Sequence, residues 1–333
     1  MPGEFALIDR IRARATRRPD VVLGIGDDAA VLAVPPGQQL VVTSDTLVAG
    51  VHFPEETAPA DLGWKALAVN LSDLAAMAAT PAWCTLALTL PRVDEAWLRG
   101  FARGLLDLAD EHDCELIGGD TTAGPLAIGI TVMGEVPAGQ ALLRSGAQVG
   151  DDLWVSGFPG EARLALEAFR GSLHPGLSTE AFEVTRLAME RPDPRVALGV
   201  GLRGLATAAI DVSDGLLGDL GHVLRRSRVG VSLCLDELPV SPWLATRSPD
   251  ERLDCILAGG DDYELLFTTP PAQRERVAQL GAELGLVLSR IGQIEAEPGL
   301  RLWRGASAVA EPGEGRQAVP NRWTSFDHFK GAA

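Results

Sequence analysis

The sequence has no long hydrophobic run, and its charge is strongly of one sign. No apolar stretch reaches the roughly 18 residues that a membrane-spanning helix needs without a polar interruption. The N-terminal residues lack a basic segment followed by an apolar one, so we expect no secretory signal and a cytoplasmic protein. The net charge of −16 opposes binding to nucleic acid and to anionic membranes, and we expect neither as a partner.

Cysteine is scarce as well. The four cysteines are Cys84, Cys114, Cys234 and Cys255, and no two of them form a C-x-x-C pair. A zinc site is therefore not expected. We expect all four to be buried free thiols, as in a reducing compartment.

Several catalytic motifs are missing. The sequence lacks G-x-x-x-x-G-K followed by Ser or Thr, and it lacks the H-R-D and D-F-G set, which excludes a P-loop and a protein-kinase site. Its serines are not set in G-x-S-x-G, so nucleophilic hydrolysis has little support. Residues 24–29 match the dinucleotide pattern G-x-G-x-x-A, but that pattern must open a helix. We reject it because Ala29–Val34 is predicted to be a strand.

What is present suits two domains with a large core, because 46% of the 333 residues are hydrophobic. We place the boundary after Pro137, where Gly and Ala become frequent, which gives domains 1–137 and 138–333. The N-terminal half is predicted to be a β-rich sheet with its helices on one face, an α+β fold. Its predicted strands are Val21–Leu23, Ala29–Val34, Gln39–Leu47, Ala82–Leu90, Glu115–Ile117 and Ala127–Val136, and its helices are residues 4–18, Ala60–Ala79 and Asp94–His112. The C-terminal half is predicted to have strands at Asp152–Ser156, Ala208–Asp211, Val229–Leu235, Glu264–Thr269 and Val287–Ile294, and helices at Gly160–Phe169, Thr179–Glu190, Pro194–Arg203, Leu216–Arg226 and Pro271–Leu284.

Aspartates follow apolar runs at six places along the chain. Any one of them alone is typical of a turn or a helix cap. Together they favour a different interpretation, because carboxylate and hydroxyl oxygens are the ligands that Mg²⁺ prefers, and Mg²⁺ usually shares its shell with phosphates. The candidate ligands are Asp27, Asp28, Asp45, Asp73, Asp120, Asp211 and Asp214. The pattern predicts metal–phosphate chemistry.

Asn70 and Asp73 lie three residues apart, and hence on one face of a predicted apolar helix. A charged Asp in such a setting needs a partner. Two interpretations remain open: a structural hydrogen bond and a cation ligand.

Seven segments together resemble the thiamine-monophosphate kinase family, within the superfamily of aminoimidazole ribonucleotide synthetase and selenophosphate synthetase. They are GIGDD at 24–28, TSDTLVAGVHF at 43–53, KALAVNLSDLAAM at 65–77, LIGGDTT at 116–122, RSGA at 144–147, IDVSDGL at 210–216 and GGDDYEL at 259–265. The resemblance runs from Gly3 to Phe329 in the family's order. The His52 segment and the tail at 326–329 favour the thiamine branch.

The resemblance implies that ATP and thiamine monophosphate give thiamine diphosphate and ADP, with several Mg²⁺ ions. It implies a homodimer formed by the N-terminal domain, ATP near the subunit interface, and a C-terminal α/β domain that completes the substrate site. The metal ligands that it implies are Asp28, Thr43, Ser44, Asp45, Asp73, Asp120, Asp211 and Asp214. The implied ATP contacts are Gly119, Asp120, Arg144 and Ser213, and the implied substrate contacts are His52, Asp261 and Phe326, with Trp323 as an alternative aromatic. The family usually has Glu at the position of Asp261.

The chemistry of this reaction needs no general base, and no catalytic side chain is predicted. The acceptor phosphate is already largely ionised at neutral pH, because its second pKa is about 6. Two alternatives come from other classes. One is a superfamily enzyme with a different phosphoryl acceptor, and the other is a non-catalytic protein that binds Mg²⁺ and nucleotide.

Overall fold

A computed structural model describes residues 18–25, 28–305 and 317–324 of the chain. The chain divides into two compact units. The N-terminal unit runs to Leu74 and adds Ala79–Ala141 and Glu190–Val196, and the C-terminal unit holds the remainder. Among the helices of the described ranges, none combines the length and the hydropathy that crossing a membrane requires.

The described part of the N-terminal unit is built on a four-stranded sheet with the order β3–β6–β4–β5. A short antiparallel pair, β1 (Val21–Leu23) and β2 (Val31–Leu32), precedes it. The sheet strands are β3 (Gln38–Val48), β4 (Thr80–Leu90), β5 (Glu115–Ala123) and β6 (Ala127–Pro137). The β3–β6 and β6–β4 pairs are antiparallel, and β4–β5 is parallel.

Two helices, α1 (Pro59–Ala76) and α2 (Glu95–Glu111), cover one face of this sheet, as predicted. Asp94 caps α2 by accepting hydrogen bonds from the backbone N–H groups of Ala96 and Trp97. Along β6 the residues facing the helices, among them Ile128 and Ile130, are buried, while the residues between them are partly exposed. The alternation follows from the two-residue period of a strand with one covered face.

The C-terminal unit has a seven-stranded mixed sheet in its described part, with the order β13–β12–β9–β11–β7–β10–β8. The strands are β7 (Asp152–Ser156), β8 (Ala208–Asp211), β9 (Gly230–Cys234), β10 (Leu265–Thr269), β11 (Leu288–Glu295), β12 (Gly299–Arg304) and β13 (Gln317–Val319). The helices are α3 (Glu161–Phe169), α4 (Thr179–Glu190), α5 (Val196–Gly201), α6 (Leu216–Ser227), α7 (Pro249–Ala258) and α8 (Arg274–Leu284). The α+β class with these two layered units is as predicted.

Several element boundaries differ from the prediction. The strand expected to end at Ile117 continues to Ala123, because Gly119 adopts a φ of 154° that few other residues tolerate. The strand expected over Ala29–Val34 is confined to Val31–Leu32. The first helix ends at Ala76 rather than Ala79, and Ala78 follows in the left-handed region with a φ of 55°. The predicted helix at residues 4–18 lies almost wholly outside the described ranges.

One α-helix and two strands of the C-terminal unit were not predicted. Helix α7 begins with Pro249 after Ser248, whose side chain and that of Glu251 form a reciprocal capping box. Strands β12 and β13 add to the sheet beside β9. All four cysteines are buried free thiols, as expected.

Candidate functional site

Strand β3 brings two of the predicted metal ligands to the face that the helices cover. Thr43 and Asp45 are two residues apart, so both side chains leave the strand on the same side. The Oγ1 atom of Thr43 donates a 2.5 Å hydrogen bond to Oδ2 of Asp73 on α1. Three predicted ligands therefore lie at the junction of β3 and α1.

Asn70 fixes this junction. Its Oδ1 atom accepts a 3.0 Å hydrogen bond from the backbone N–H of Asp45, and its Nδ2 atom donates 3.1 Å to the carbonyl oxygen of Ala66. The side chain is fully buried. Of the two interpretations left open for the helix face, Asn70 therefore shows the structural hydrogen bond, whereas Asp73 contacts another predicted ligand.

Ser44 and Asp120 lie on the opposite face of the same sheet. The Ser44 Oγ atom is 3.2 Å from the carbonyl oxygen of Ile130 and 3.0 Å from Oγ1 of Thr131. Strand pairing places Asp120 in one row with Thr46, through Gly129 and Ala87. Residues of one row point to one face, so the predicted ligands of this unit divide between two faces.

His52 and Asp28 lie near the ends of strands. The Nδ1 atom of His52 accepts a 3.0 Å hydrogen bond from the backbone N–H of Val48 at the end of β3, so the proton of its neutral ring is on Nε2. Asp28 is exposed in a bend before β2. Asp27 lies outside the described residues.

In the C-terminal unit, two loops that carry predicted residues are hydrogen-bonded to each other. Asp211 ends β8 and is buried. Beyond it, the carbonyl oxygen of Ser213 accepts a 2.7 Å hydrogen bond from the backbone N–H of Asp261. A side chain on Gly260, which has a φ of 71°, would place Cβ 2.6 Å from that same carbonyl oxygen. The loops at 212–215 and 260–263 therefore need this glycine to approach so closely.

Asp219 is a residue of this site that the sequence reasoning missed. Its Oδ2 atom accepts hydrogen bonds of 3.0 Å from the backbone N–H groups of both Ser213 and Asp214. Burial, with a further contribution from the charge of Asp214, raises the pKa of Asp219 to about 7, while the two hydrogen bonds and the charge of Arg144 oppose the rise. The only signal in the sequence is its place five residues after Asp214.

The Arg144 turn is bound to the end of α6. The Ser227 hydroxyl contacts the carbonyl oxygen of Arg144 at 3.1 Å and the backbone N–H groups of Gly146 and Ala147 at 3.1 and 3.2 Å. Arg144 itself is exposed. Ser227 is a second residue that sequence reasoning missed, because nothing in its neighbourhood marks it.

Of the two tail aromatics predicted at the substrate, only Trp323 lies within the described residues. Phe326 lies outside the described residues. Trp323 is only 8% exposed, packs in the core of the C-terminal unit, and donates a 2.7 Å hydrogen bond from Nε1 to Oδ1 of Asp254. The ring of Trp323 is therefore part of the core.

Within residues 18–25, 28–305 and 317–324, no three His, Cys, Asp or Glu side chains are grouped closely enough to hold a metal ion by themselves. The donors that the site offers are carboxylate and hydroxyl oxygens, as in the Thr43–Asp73 pair. Such a set fits Mg²⁺, which takes one or two carboxylates and completes its shell with waters and substrate phosphates.

Comparison with known proteins decides the family. Residues 26–136 match the family model described as AIR synthase related protein, N-terminal domain, and residues 148–304 match the corresponding C-terminal domain. A thiamine-monophosphate kinase of Escherichia coli K12 is 50% identical over 275 residues, which are 82% of this chain and 84% of the relative. The chain belongs to the thiamine-monophosphate kinase family. As a member it is an ATP-dependent phosphotransferase that makes thiamine diphosphate from thiamine monophosphate and ATP.

Solved structures of thiamine-monophosphate kinases show the same fold. The enzyme from Stenotrophomonas maltophilia K279a is 54% identical, with a TM-score of 0.84 over 90% of this chain and 96% of the other. The AaThiL structure, complexed with AMPPCP and TMP, is 30% identical, with a TM-score of 0.72 over 90% of this chain and 93% of the other. The predicted family, fold class and activity are therefore confirmed.

Proposed function

We propose that the chain transfers the γ-phosphate of ATP directly and in line to the phosphate of thiamine monophosphate, in a reaction that depends on Mg²⁺. The observation that carries this proposal is the Thr43–Asp73 contact beside Asp45, which collects hard oxygen donors at one junction of strand and helix. The acceptor oxygen is already ionised at neutral pH, so no side chain has to remove its proton. Catalysis then consists of positioning and charge neutralisation.

Bound Mg²⁺ would supply the positive charge that lets two polyanions meet. Thr43, Asp45 and Asp73 would hold Mg²⁺ on the helix side of the sheet. Ser44 and Asp120 would hold Mg²⁺ on the opposite side. Asp28, Asp211 and Asp214 are the other residues proposed as ligands. Asn70 accepts a hydrogen bond from the backbone N–H of Asp45, which fixes β3 at the residue that would supply this ligand.

We propose ATP contacts for Gly119, Asp120, Arg144 and Ser213. A Cβ on Gly119 would lie 1.9 Å from the carbonyl oxygen of Leu86. Only glycine therefore lets the backbone of β5 come this close to β4. Arg144 is exposed and carries a guanidinium that suits a phosphate. For thiamine monophosphate we propose His52, Asp261 and Phe326, since an aromatic ring near a carboxylate suits the thiazolium cation.

A homodimer is part of the proposal. Leu40 is 44% exposed and Val42 is 55% exposed, both on β3. Val42 shares the sheet face of Ser44, opposite the helices. A second copy covering this face would bury the exposed residues and bring Asp120 near the subunit interface.

The remaining proposals concern organisation. We assign ATP binding, Mg²⁺ binding and dimerisation to residues 1–137, and completion of the substrate site to residues 138–333. The four buried free thiols support a reducing, cytoplasmic setting.

The direct mechanism is tested with ATP that is chiral at the γ-phosphorus. A single in-line displacement inverts the configuration in thiamine diphosphate, whereas a phosphoenzyme intermediate would give retention. The same reaction, quenched in acid with γ-labelled ATP, should leave no label on protein and should give thiamine diphosphate and ADP in equal amounts. Retention, or a labelled protein formed at a competent rate, would refute direct transfer.

A further inference from the structure

Helix α6 contacts both proposed ATP-binding segments of the C-terminal unit. Near its beginning, Asp219 accepts hydrogen bonds from the backbone of Ser213 and Asp214. At its last residue, Ser227 holds the backbone of the Arg144 turn. Eight residues separate the two anchors, which is about 12 Å along a helix.

The Arg144 turn is held on a second side as well, by the strand that precedes the Ser213 loop. The backbone N–H of Ala209 on β8 donates 3.0 Å to the carbonyl oxygen of Leu143. Gly146 has a φ of 131°, and a Cβ there would lie 2.3 Å from the carbonyl oxygen of Thr207. The backbone of the turn is thus fixed between the start of β8 and the end of α6.

The charge of Arg144 also affects two titratable side chains of α6. Burial and the charge of Arg225 lower the pKa of His222, and the charge of Arg144 lowers it further. The same charge opposes the burial that raises the pKa of Asp219. Asp219 and His222 lie three residues apart, on one face of α6, and the charge of Arg144 acts on the pKa of both.

We propose that Asp219 and Ser227 are positioning residues that use α6 to hold Arg144 and the Ser213–Asp214 loop at a fixed separation for the phosphates of ATP. Neither residue touches the reacting atoms, and each acts through the backbone of a neighbour. The proposal rests on the ATP contacts proposed above for Arg144 and Ser213.

The test uses steady-state kinetics of the full chain. Ser227→Ala should raise KM for ATP about five- to tenfold, as expected for loss of one hydroxyl that orders a binding turn. KM for thiamine monophosphate should stay unchanged, and Ser227→Thr, which keeps a hydroxyl, should restore KM for ATP. The matched control is Ser172→Ala, because Ser172 also donates to a carbonyl oxygen near a helix end, that of Glu167 at 2.8 Å.

Asp219 has its own conservative variant. Asp219→Asn keeps an oxygen that can accept from both backbone N–H groups, whereas Asp219→Ala removes it. Asp219→Ala should therefore raise KM for ATP well above the value for Asp219→Asn. Equal KM values for the two variants would overturn the anchoring role of Asp219.

Arg144→Ala separates this proposal from the one on which it rests. If Ser227 acts through Arg144, the double variant Arg144→Ala/Ser227→Ala should have the same KM for ATP as Arg144→Ala alone. An effect of Arg144→Ala without any effect of Ser227→Ala overturns the positioning role. A KM for ATP that Arg144→Ala leaves unchanged overturns the proposed ATP contact instead. A lower thermal midpoint for Ser227→Ala at constant KM shows a merely structural hydroxyl and also overturns the proposal.

Discussion

At the scale of single residues, Asp45 combines two functions in separate groups. Its backbone N–H makes the hydrogen bond to the buried Asn70, and its carboxylate is the proposed metal ligand. Removing the charge while keeping the shape therefore tests the second function alone. The fold should tolerate such a change because the backbone contact remains.

Asp45→Asn should lower kcat by at least about 100-fold, the usual effect of removing one preorganised electrostatic contact. The thermal midpoint should change little, because the side chain keeps its size. Steady-state rates at saturating ATP and thiamine monophosphate, with calorimetry of the same preparations, measure both. Glu180→Gln, at an exposed position in the first turn of α4, is the matched control and should leave kcat unaltered. Wild-type turnover by Asp45→Asn would exclude the ligand role.

Asp262 is a second residue with a testable charge. Its Oδ1 atom accepts a 2.7 Å hydrogen bond from the backbone N–H of Gly160, while its buried Oδ2 has no hydrogen-bond partner among the described residues. Burial raises the pKa of Asp262 well above its ordinary 3.8, and the charges of Glu264 and Asp261 add to the rise. The folded state therefore favours the protonated form. The stabilising contribution of protonated Asp262 is complete below about pH 4 and is lost as the pH rises through the folded-state pKa of Asp262.

Asp262→Asn should be more stable than the natural chain at pH 8, by about 1–3 kcal/mol, because the amide is neutral and keeps the acceptor for Gly160. The advantage should shrink as the pH falls toward 4. Urea unfolding at a series of pH values measures the difference. A free-energy difference that is constant across pH, or a less stable variant at pH 8, would contradict the assignment.

At the scale of elements, α1 and α2 approach each other through glycine. A Cβ on Gly104 would lie 1.8 Å from the carbonyl oxygen of Ala60, and one on Gly63 would lie 2.1 Å from that of Phe101. Gly100, one turn before Gly104, has its nearest such contact at 3.0 Å, with the side chain of Pro59. Helix α2 therefore has one glycine in tight contact, Gly104, and one in looser contact, Gly100.

Gly104→Ala should destabilise the chain by about 3 kcal/mol or more, since a backbone carbonyl cannot move aside without shifting a helix. Gly100→Ala should be close to neutral, because Ala favours a helix by about 1 kcal/mol over Gly and this gain offsets the milder contact. Unfolding in urea compares the two variants directly. Equal losses of stability would mean that the helices do not pack at this distance.

At the scale of the whole molecule, the exposed face of the N-terminal sheet predicts a dimer. Light scattering after gel filtration should give twice the 35.1 kDa mass of the chain. Val42→Glu places a charge on that face and should yield the single-chain mass. Val184→Glu, at a position 42% exposed on α4 in the other unit, is the control and should remain a dimer. A dimer that survives Val42→Glu would place the interface elsewhere.

The phosphate part of the predicted metal–phosphate chemistry is confirmed by the family, whereas Mg²⁺ stays a prediction. The strand-then-aspartate pattern indicated this chemistry because its residue types are hard oxygen donors. It could not predict which donors share a face. Ser44 and Asp45 are adjacent in sequence yet leave the sheet on opposite sides. Asp120 lies on the same face as Ser44 because of the strand pairing through β6 and β4. The extension of β5 through Gly119 was missed because a two-glycine segment carries the local signal of a turn.

The sequence by itself determined the class of fold, because local spacing preserves the patterns of residue type on which the class depends. The family and the reaction followed from the resemblance of its seven segments to thiamine-monophosphate kinases. Only the tertiary structure showed which backbone groups Asn70, Asp219 and Ser227 bind. Each of them binds backbone groups, and every residue has a backbone N–H or carbonyl, so the partners leave no mark in the sequence. Which backbone group lies within 3 Å of a given side chain is decided by how strands and helices pack together.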